Sequence, residues 1–395
     1  MSVSNGRAFL AIPGPTTVPD EVLAAMHRPA IDLYSGTHLD LTASLLADLP
    51  KLFRTRGHAY IYAANGHGAW EAALANVLSR GDRILVLESG RFATGWGEMA
   101  AAMGVKTEVL PCDWHSAVDP QKVEERLRAD ATGEIKAILV VQVDTASSVA
   151  NDIEAIRAAI DAAGHDALLM VDAVASLATM PFEMDAWGID VTVTGSQKGL
   201  MTPPGLAFVA ASDKARQRRR INADLVTRYW DWTFRDGNEH YMKYCGTPPE
   251  HLLFGLRKAL DMIFTEGLEN VITRHRILAE AVRAAVARWA EAGALSFNIT
   301  DPARRANSVT TVRTEGFAPK PLLDYARDKC GVTIGIGIGG LEDSAFRIAH
   351  MGHINAPMVL GTLGVIETGL TALAIPHGAG GLEAAVTTIA KAVKP

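Results

Sequence analysis

Ala167-Leu168-Leu169-Met170-Val171-Asp172 is an apolar run closed by a carboxylate. No polar residue alternates within it, so both faces of the strand it forms must be covered, as in a parallel sheet wrapped by helices. Working outward, comparable runs occupy 58–63, 83–87, 106–110, 136–143, 190–193 and 205–210. Helical spacing fills the gaps at 70–78, 97–103 and 153–163. Strand and helix alternating in this way predict an α/β fold, with a mostly parallel seven-stranded sheet flanked by helices.

After residue 205 the pattern changes to longer helices, with strong periodicity across 250–286. Strands at 309–312, 332–336 and 345–348 then mix with helices at 357–371 and 381–392, which predicts a smaller α+β C-terminal domain. The chain so divides into an N-terminal arm (1–20), a large α/β domain (21–260) and the small domain (261–395), with a helix over 249–264 as connector.

The 395 residues are 48% hydrophobic and 21% charged, values of a folded globular protein rather than a disordered one. A formal charge of -6 removes any general electrostatic reason to bind nucleic acid or an anionic membrane. The basic run 214–220 reads as a solvated helix face. Cys112, Cys245 and Cys330 are far apart and odd in number, which fits a reducing compartment. With neither a signal peptide nor a membrane-spanning apolar stretch in the sequence, the expected location is cytoplasmic.

Ligands of open α/β sheets sit beyond the carboxyl ends of the strands. Those ends are polar or glycine-rich here: Asn65-Gly66-His67-Gly68, Ser89-Gly90, Asp144-Thr145, Asp172 and Ser196-Gln197-Lys198. The first precedes a helix beginning near Ala69, and free N–H groups at a helix start, reached closely through glycine, suit a phosphate. A plain βα turn answers to the same residues, and neither the P-loop nor the dinucleotide fingerprint is matched. Asp172 needs either a cation, such as a protonated pyridine nitrogen, or the helix start that it would cap. Lys198 lies on a turn before Pro203-Pro204-Gly205, where a held backbone suits a Schiff-base lysine. Phosphate turn, carboxylate and lysine are together the anchors that pyridoxal phosphate requires.

Further motifs extend the pattern along the chain. They are Pro13-Gly14-Pro15-Thr16, Gly68-Ala69-Trp70-Glu71-Ala72-Ala73-Leu74, Val171-Asp172-Ala173-Val174-Ala175-Ser176, Gly195-Ser196-Gln197-Lys198-Gly199, Thr247-Pro248-Pro249, and Phe346-Arg347-Ile348 with Gly352. With these the chain resembles the class V, fold-type I pyridoxal-phosphate aminotransferases, in particular the alanine–glyoxylate and serine–glyoxylate branch. The resemblance implies that Lys198 carries the cofactor as a Schiff base and shuttles the proton. Asn65, Gly66, His67 and Gln197 would serve the phosphate, Phe92 would stack on the ring, and Thr145 would meet its hydroxyl. Asp172, with Val174 beside it, would meet the ring nitrogen. Tyr244 and Thr247 would come from the neighbouring subunit of a homodimer, Arg347 would clamp the substrate carboxylate, and no metal is implied.

The implied reaction is ping-pong transfer from serine or alanine to glyoxylate or pyruvate. Three departures bear on the substrates: Leu33-Tyr34 replaces His-Arg after Asp32, Thr17 stands where Asn is frequent, and Ser148 where Gly is common. The stretch from Phe346 to Gly352 also resembles pyridoxamine–pyruvate aminotransferases. A lyase of the same fold type, such as a cysteine desulfurase, is a further alternative, against which Gln197 stands in place of the usual His. The aromatic cluster Tyr229-Trp230-Asp231-Trp232 fits either a pocket cover or packing between domains or subunits.

Overall fold

In the computed structural model, which describes residues 2–394, the run that opens the sequence reading is the strand Leu168–Asp172, buried at every position. Leu169 and Val171 face a cluster with Leu49, Phe53, Phe208 and Leu256, while Leu168 and Met170 face one with Trp70, Leu74, Val86 and Val209. Both faces are thus covered, which explains the missing alternation.

Across the larger sheet the strands lie in the order His58–Tyr62, Ala207–Ala211, Val191–Gly195, Leu168–Asp172, Ile135–Val141, Arg83–Leu87 and Lys106–Leu110. Only Ala207–Ala211 runs against its neighbours; every other strand points the same way. The expected α/β sheet of seven mostly parallel strands is present.

Several boundaries differ from the sequence expectation: the helix read over 97–103 begins at Arg91, and two further differences lie at the strand ends. The run 136–143 stops as a sheet strand at Val141, and Val143–Asp144 turns off to pair with Val149–Ala150. The helix expected near Ala69 is Gly66–Val77, because Asn65 accepts the Gly68 N–H (3.2 Å) and so caps it earlier. Both glycines therefore lie in its first turn.

A second sheet has the order Phe9–Ala11, Val332–Ile336, Ala345–Ala349, Val309–Thr314 and Leu295–Phe297. It is backed by Leu268–Ala290, Ala356–Ala372 and Gly381–Ala392 through Val282, Trp289, Phe346 and Leu363. The periodic stretch 250–286 is two helices, Glu250–Glu266 and Leu268–Ala290, parted at Gly267 by a φ of 87°. No helix among the described residues is long and apolar enough to cross a membrane.

Trp230 and Trp232 pack within the larger unit. Trp232 stacks on Tyr60 at 5.5 Å, and the Trp230 carbonyl accepts from Tyr62 and Asn76. The contacts of these two rings lie inside one unit, rather than between domains or subunits as one reading of the sequence had it. The basic run lies on the helix Asp213–Asn222 and is more than a solvated face: Arg216 pairs with Asp236 (2.6 Å) and Arg219 with Asp231 (2.8 Å).

Candidate active site

Because their strands point one way, Asn65, Asp172 and the turn carrying Lys198 open on one edge of the sheet. With Gly66, His67, Phe92, Thr145, Val174 and Gln197 they line a cleft of about 280 Å³. Trp70, Val141, Val143 and Ala175 complete the wall.

Asp172 is buried at the cleft floor. Its Oδ1 accepts the Val174 N–H and its Oδ2 the indole N–H of Trp70, each at 2.7 Å. Burial pushes its carboxyl up to about 7, and these two donors hold it from going higher. Asp172 does not serve as a helix cap, since no helix follows it directly.

Lys198 is held by the N-terminal motif. Thr16 donates its hydroxyl to the Lys198 carbonyl (3.1 Å) and its N–H to the Gln197 carbonyl (3.0 Å), while Lys198 Nζ donates to the Pro13 carbonyl. Gly14 suits this place through its φ of 100°, which L side chains rarely adopt, and a Cβ on it would also press on the end of the Lys198 side chain. Burial, helped by the charge of Arg347, brings the amine down to about 8, against the opposing pull of Asp172.

Phe92 is carried at the start of the helix Arg91–Ala102, which has no side-chain cap of its own. Asp144 supplies one from another part of the chain: its Oδ2 accepts the N–H groups of Phe92 (2.9 Å) and Ala93 (3.0 Å), and its Oδ1 that of Ala146 (3.0 Å). A Cβ on Gly90 would come within 2.2 Å of this carboxylate, so only glycine fits there. Arg347, from the second sheet, donates to the carbonyls of Thr145 (3.0 Å) and Ile336 (2.6 Å). It stands behind Thr145 rather than in the cleft lining, and burial brings it down to about 10.

Tyr244 and Thr247 stay out of this cleft. The Tyr244 hydroxyl bonds Thr42 (2.9 Å) within its own chain, and Thr247 is exposed. Of the departures, Tyr34 is 73% exposed, Thr17 lines a separate groove beside the N-terminal strand, and Ser148 is buried with a φ of 65°. Among the described residues no cluster of His, Cys, Asp and Glu is placed to hold a metal ion. Sequence reasoning assigned no role to Trp70 or Asp144. For Asp144 the one signal was its place at a polar strand end, directly before Thr145.

The family model for class-V aminotransferases matches residues 8–340. A serine–glyoxylate aminotransferase of Methylorubrum extorquens is 39% identical over 92% of this chain and 91% of its own. An L-aspartate–glyoxylate aminotransferase of Paracoccus denitrificans is 37% identical over 92% and 91%. Among solved structures, a pyridoxamine–pyruvate aminotransferase of Mesorhizobium loti superposes with a TM-score of 0.89 at 28% identity, covering 100% of both chains. The family match spans most of the chain, every cleft-lining residue included, and the superposition runs its whole length; the chain belongs to the class V aminotransferases.

Proposed function

We propose that this aminotransferase binds pyridoxal phosphate in the cleft and moves an amino group from serine or alanine to glyoxylate or pyruvate. The observation that carries the reading is the trio of a buried carboxylate (Asp172), a lysine lowered to about 8 (Lys198) and a guanidinium behind Thr145 (Arg347). The residues present fit the cofactor. Gln197 Oε1 is buried without a partner among the described residues, so its amide is free to turn toward a ligand, and Gly66 leaves backbone N–H groups open at a helix start.

When bound, pyridoxal phosphate would supply an electron sink, with Lys198 the residue that would carry it. Asn65, Gly66, His67 and Gln197 hold the phosphate end. Phe92 covers the ring, Thr145 meets its hydroxyl, and Asp172, fixed by Val174, keeps a proton on the ring nitrogen. Lys198 Nζ, basic enough near neutral pH, would move the donor's Cα proton onto the cofactor in the first half-reaction and a proton back onto the acceptor's carbon in the second.

Arg347 binds the substrate carboxylate through the part of its fork not given to the two carbonyls. A single guanidinium suits small monocarboxylic partners. Thr247, exposed on its own chain, contributes to the neighbour's phosphate site in a homodimer. Tyr244 joins it by exchanging its bond to Thr42. Three free cysteines fit a cytoplasmic setting.

A second reading, with pyridoxamine as donor and pyruvate as acceptor, is favoured by the end-to-end superposition on the Mesorhizobium loti enzyme. Both are tested by adding amino acids and pyridoxamine one at a time to the purified yellow protein. Bleaching identifies the donor, and recovery with glyoxylate or pyruvate identifies the acceptor. Lys198→Ala is expected to abolish turnover; full turnover in that variant would sink the assignment.

A further inference from the structure

Trp70 lies at the wall of the cleft with both its ring and its nitrogen engaged. Its ring stacks on Trp96 (5.9 Å, 15° between planes) and meets the His67 ring at 4.5 Å. Its Nε1 is 2.7 Å from Asp172 Oδ2, and both residues are buried. Nothing else among the described residues donates to that oxygen.

We propose that Trp70 is a positioning residue for the cofactor's ring nitrogen: its indole N–H keeps Asp172 charged and fixes which carboxylate lone pairs face the cleft. The inference rests on pyridoxal phosphate occupying the cleft. An ionised carboxylate accepts at four lone-pair sites, and here one on each oxygen is already taken, by Val174 and by Trp70. The indole nitrogen only donates, so its bond favours the ionised acid over the neutral one. That preference is needed at this position. Burial and the neighbouring carboxylate of Asp144 both work to protonate Asp172, while Lys198 works against it. A neutral Asp172 would no longer hold the ring nitrogen protonated, and the ring would withdraw electrons poorly.

Trp96 provides the control. It is the same size, is fully buried against Trp70, and its Nε1 has no partner among the described residues. Trp70→Phe and Trp96→Phe therefore remove comparable volume from one stack, but only the first removes a donor from Asp172.

The test is a pH titration of the visible absorbance of the cofactor-loaded protein, wild type against both variants. Trp70→Phe is expected to move the midpoint by about one pH unit or more, the worth of a hydrogen bond to a charged group. It should also lower kcat about tenfold with little change in KM, since the substrate clamp is untouched. Trp96→Phe should leave both curves where they are. Equal curves for wild type and Trp70→Phe, or equal shifts in the two variants, overturn the proposal. Should Trp70→Phe fold poorly, the Trp70 indole proton resonance in the cofactor-free wild type decides instead. It should titrate with Asp172, and a resonance flat from pH 5 to 9 overturns the idea. Wild type that takes up no pyridoxal phosphate would refute the functional reading itself, an outcome distinct from these.

Discussion

Asp172 ends a strand of the larger sheet, and Asp144 lies just past the neighbouring strand, whose Val141 pairs with Asp172; both carboxylates are buried. Their surroundings nevertheless suit opposite tasks. Asp144 accepts three backbone N–H groups from two parts of the chain, and burial raises it only to about 6. Asp172 accepts one backbone and one side-chain donor, rises to about 7, and keeps lone pairs open to the cleft. A carboxylate saturated by backbone is a clamp, whereas one left short of donors is a receptor. Satisfaction, rather than burial, separates the two.

Exchange of each for asparagine should therefore give crossed effects. Asp172→Asn is expected to lower kcat by about 100- to 1000-fold, the usual loss when a charge facing the reacting group is removed. Its urea midpoint at pH 7 should move little, since the amide strands one of the two donors while removing a buried charge. In Asp144→Asn the amide NH2 faces N–H donors that it cannot satisfy. That variant should lose about 2–4 kcal/mol of stability, at about 1–3 kcal/mol for each stranded buried group. Its kcat per folded molecule should fall far less. Steady-state kinetics and urea melts on both variants decide the matter; parallel losses would erase the distinction.

The difference between the two carboxylates also marks what could be read without coordinates. Asp172 stood out because it closes an apolar run, and Lys198 because it sits on a turn between a strand and prolines. Both are local contrasts of polarity. Trp70 carries no such contrast, and Asp144, which also ends an apolar run, shows nothing of its partners: those of the two residues lie 102 and 52 residues away, and only the fold joins them. The helix start at Gly66 was missed for a related reason. Glycine has poor helix propensity, and the cap by Asn65 overrides it. Arg347 was legible as a cation amid apolar neighbours, but its retreat behind Thr145 depends on two carbonyls brought together from distant segments.

A second way to sharpen the contrast is stability against pH in the cofactor-free protein. Each folded carboxyl binds its proton more tightly than the unfolded chain does, at about 7 for Asp172 and about 6 for Asp144. The stabilisation from this is full below pH 4 and drains away as pH rises through those values. Each pH unit is worth about 1.4 kcal/mol, so Asp172→Asn should gain on wild type by at most about 4 kcal/mol between pH 4 and 7, then level off. Urea midpoints at half-unit steps measure the gap. A gap that is constant with pH would place Asp172 in an ordinary, ionised setting.

The smallest effect concerns the turn that follows Asp144. Ser148 donates its N–H to the Asp144 carbonyl (2.7 Å), accepts the Thr311 N–H on its hydroxyl (3.1 Å), and holds a φ of 65°. The left-handed conformation costs a side chain about 1 kcal/mol that glycine does not incur, which accounts for glycine being common at this position in the resembling family. The serine offsets that cost by accepting a buried N–H from the second sheet. Ser148→Ala keeps the strained backbone and strands the Thr311 N–H, so it should lose about 1–2 kcal/mol. Ser148→Gly strands the same N–H but relieves the backbone, and should lose about 1 kcal/mol less than alanine does. Urea melts of the two variants give the ranking. Alanine proving the more stable would mean that the left-handed backbone costs less here than the extra chain entropy of glycine.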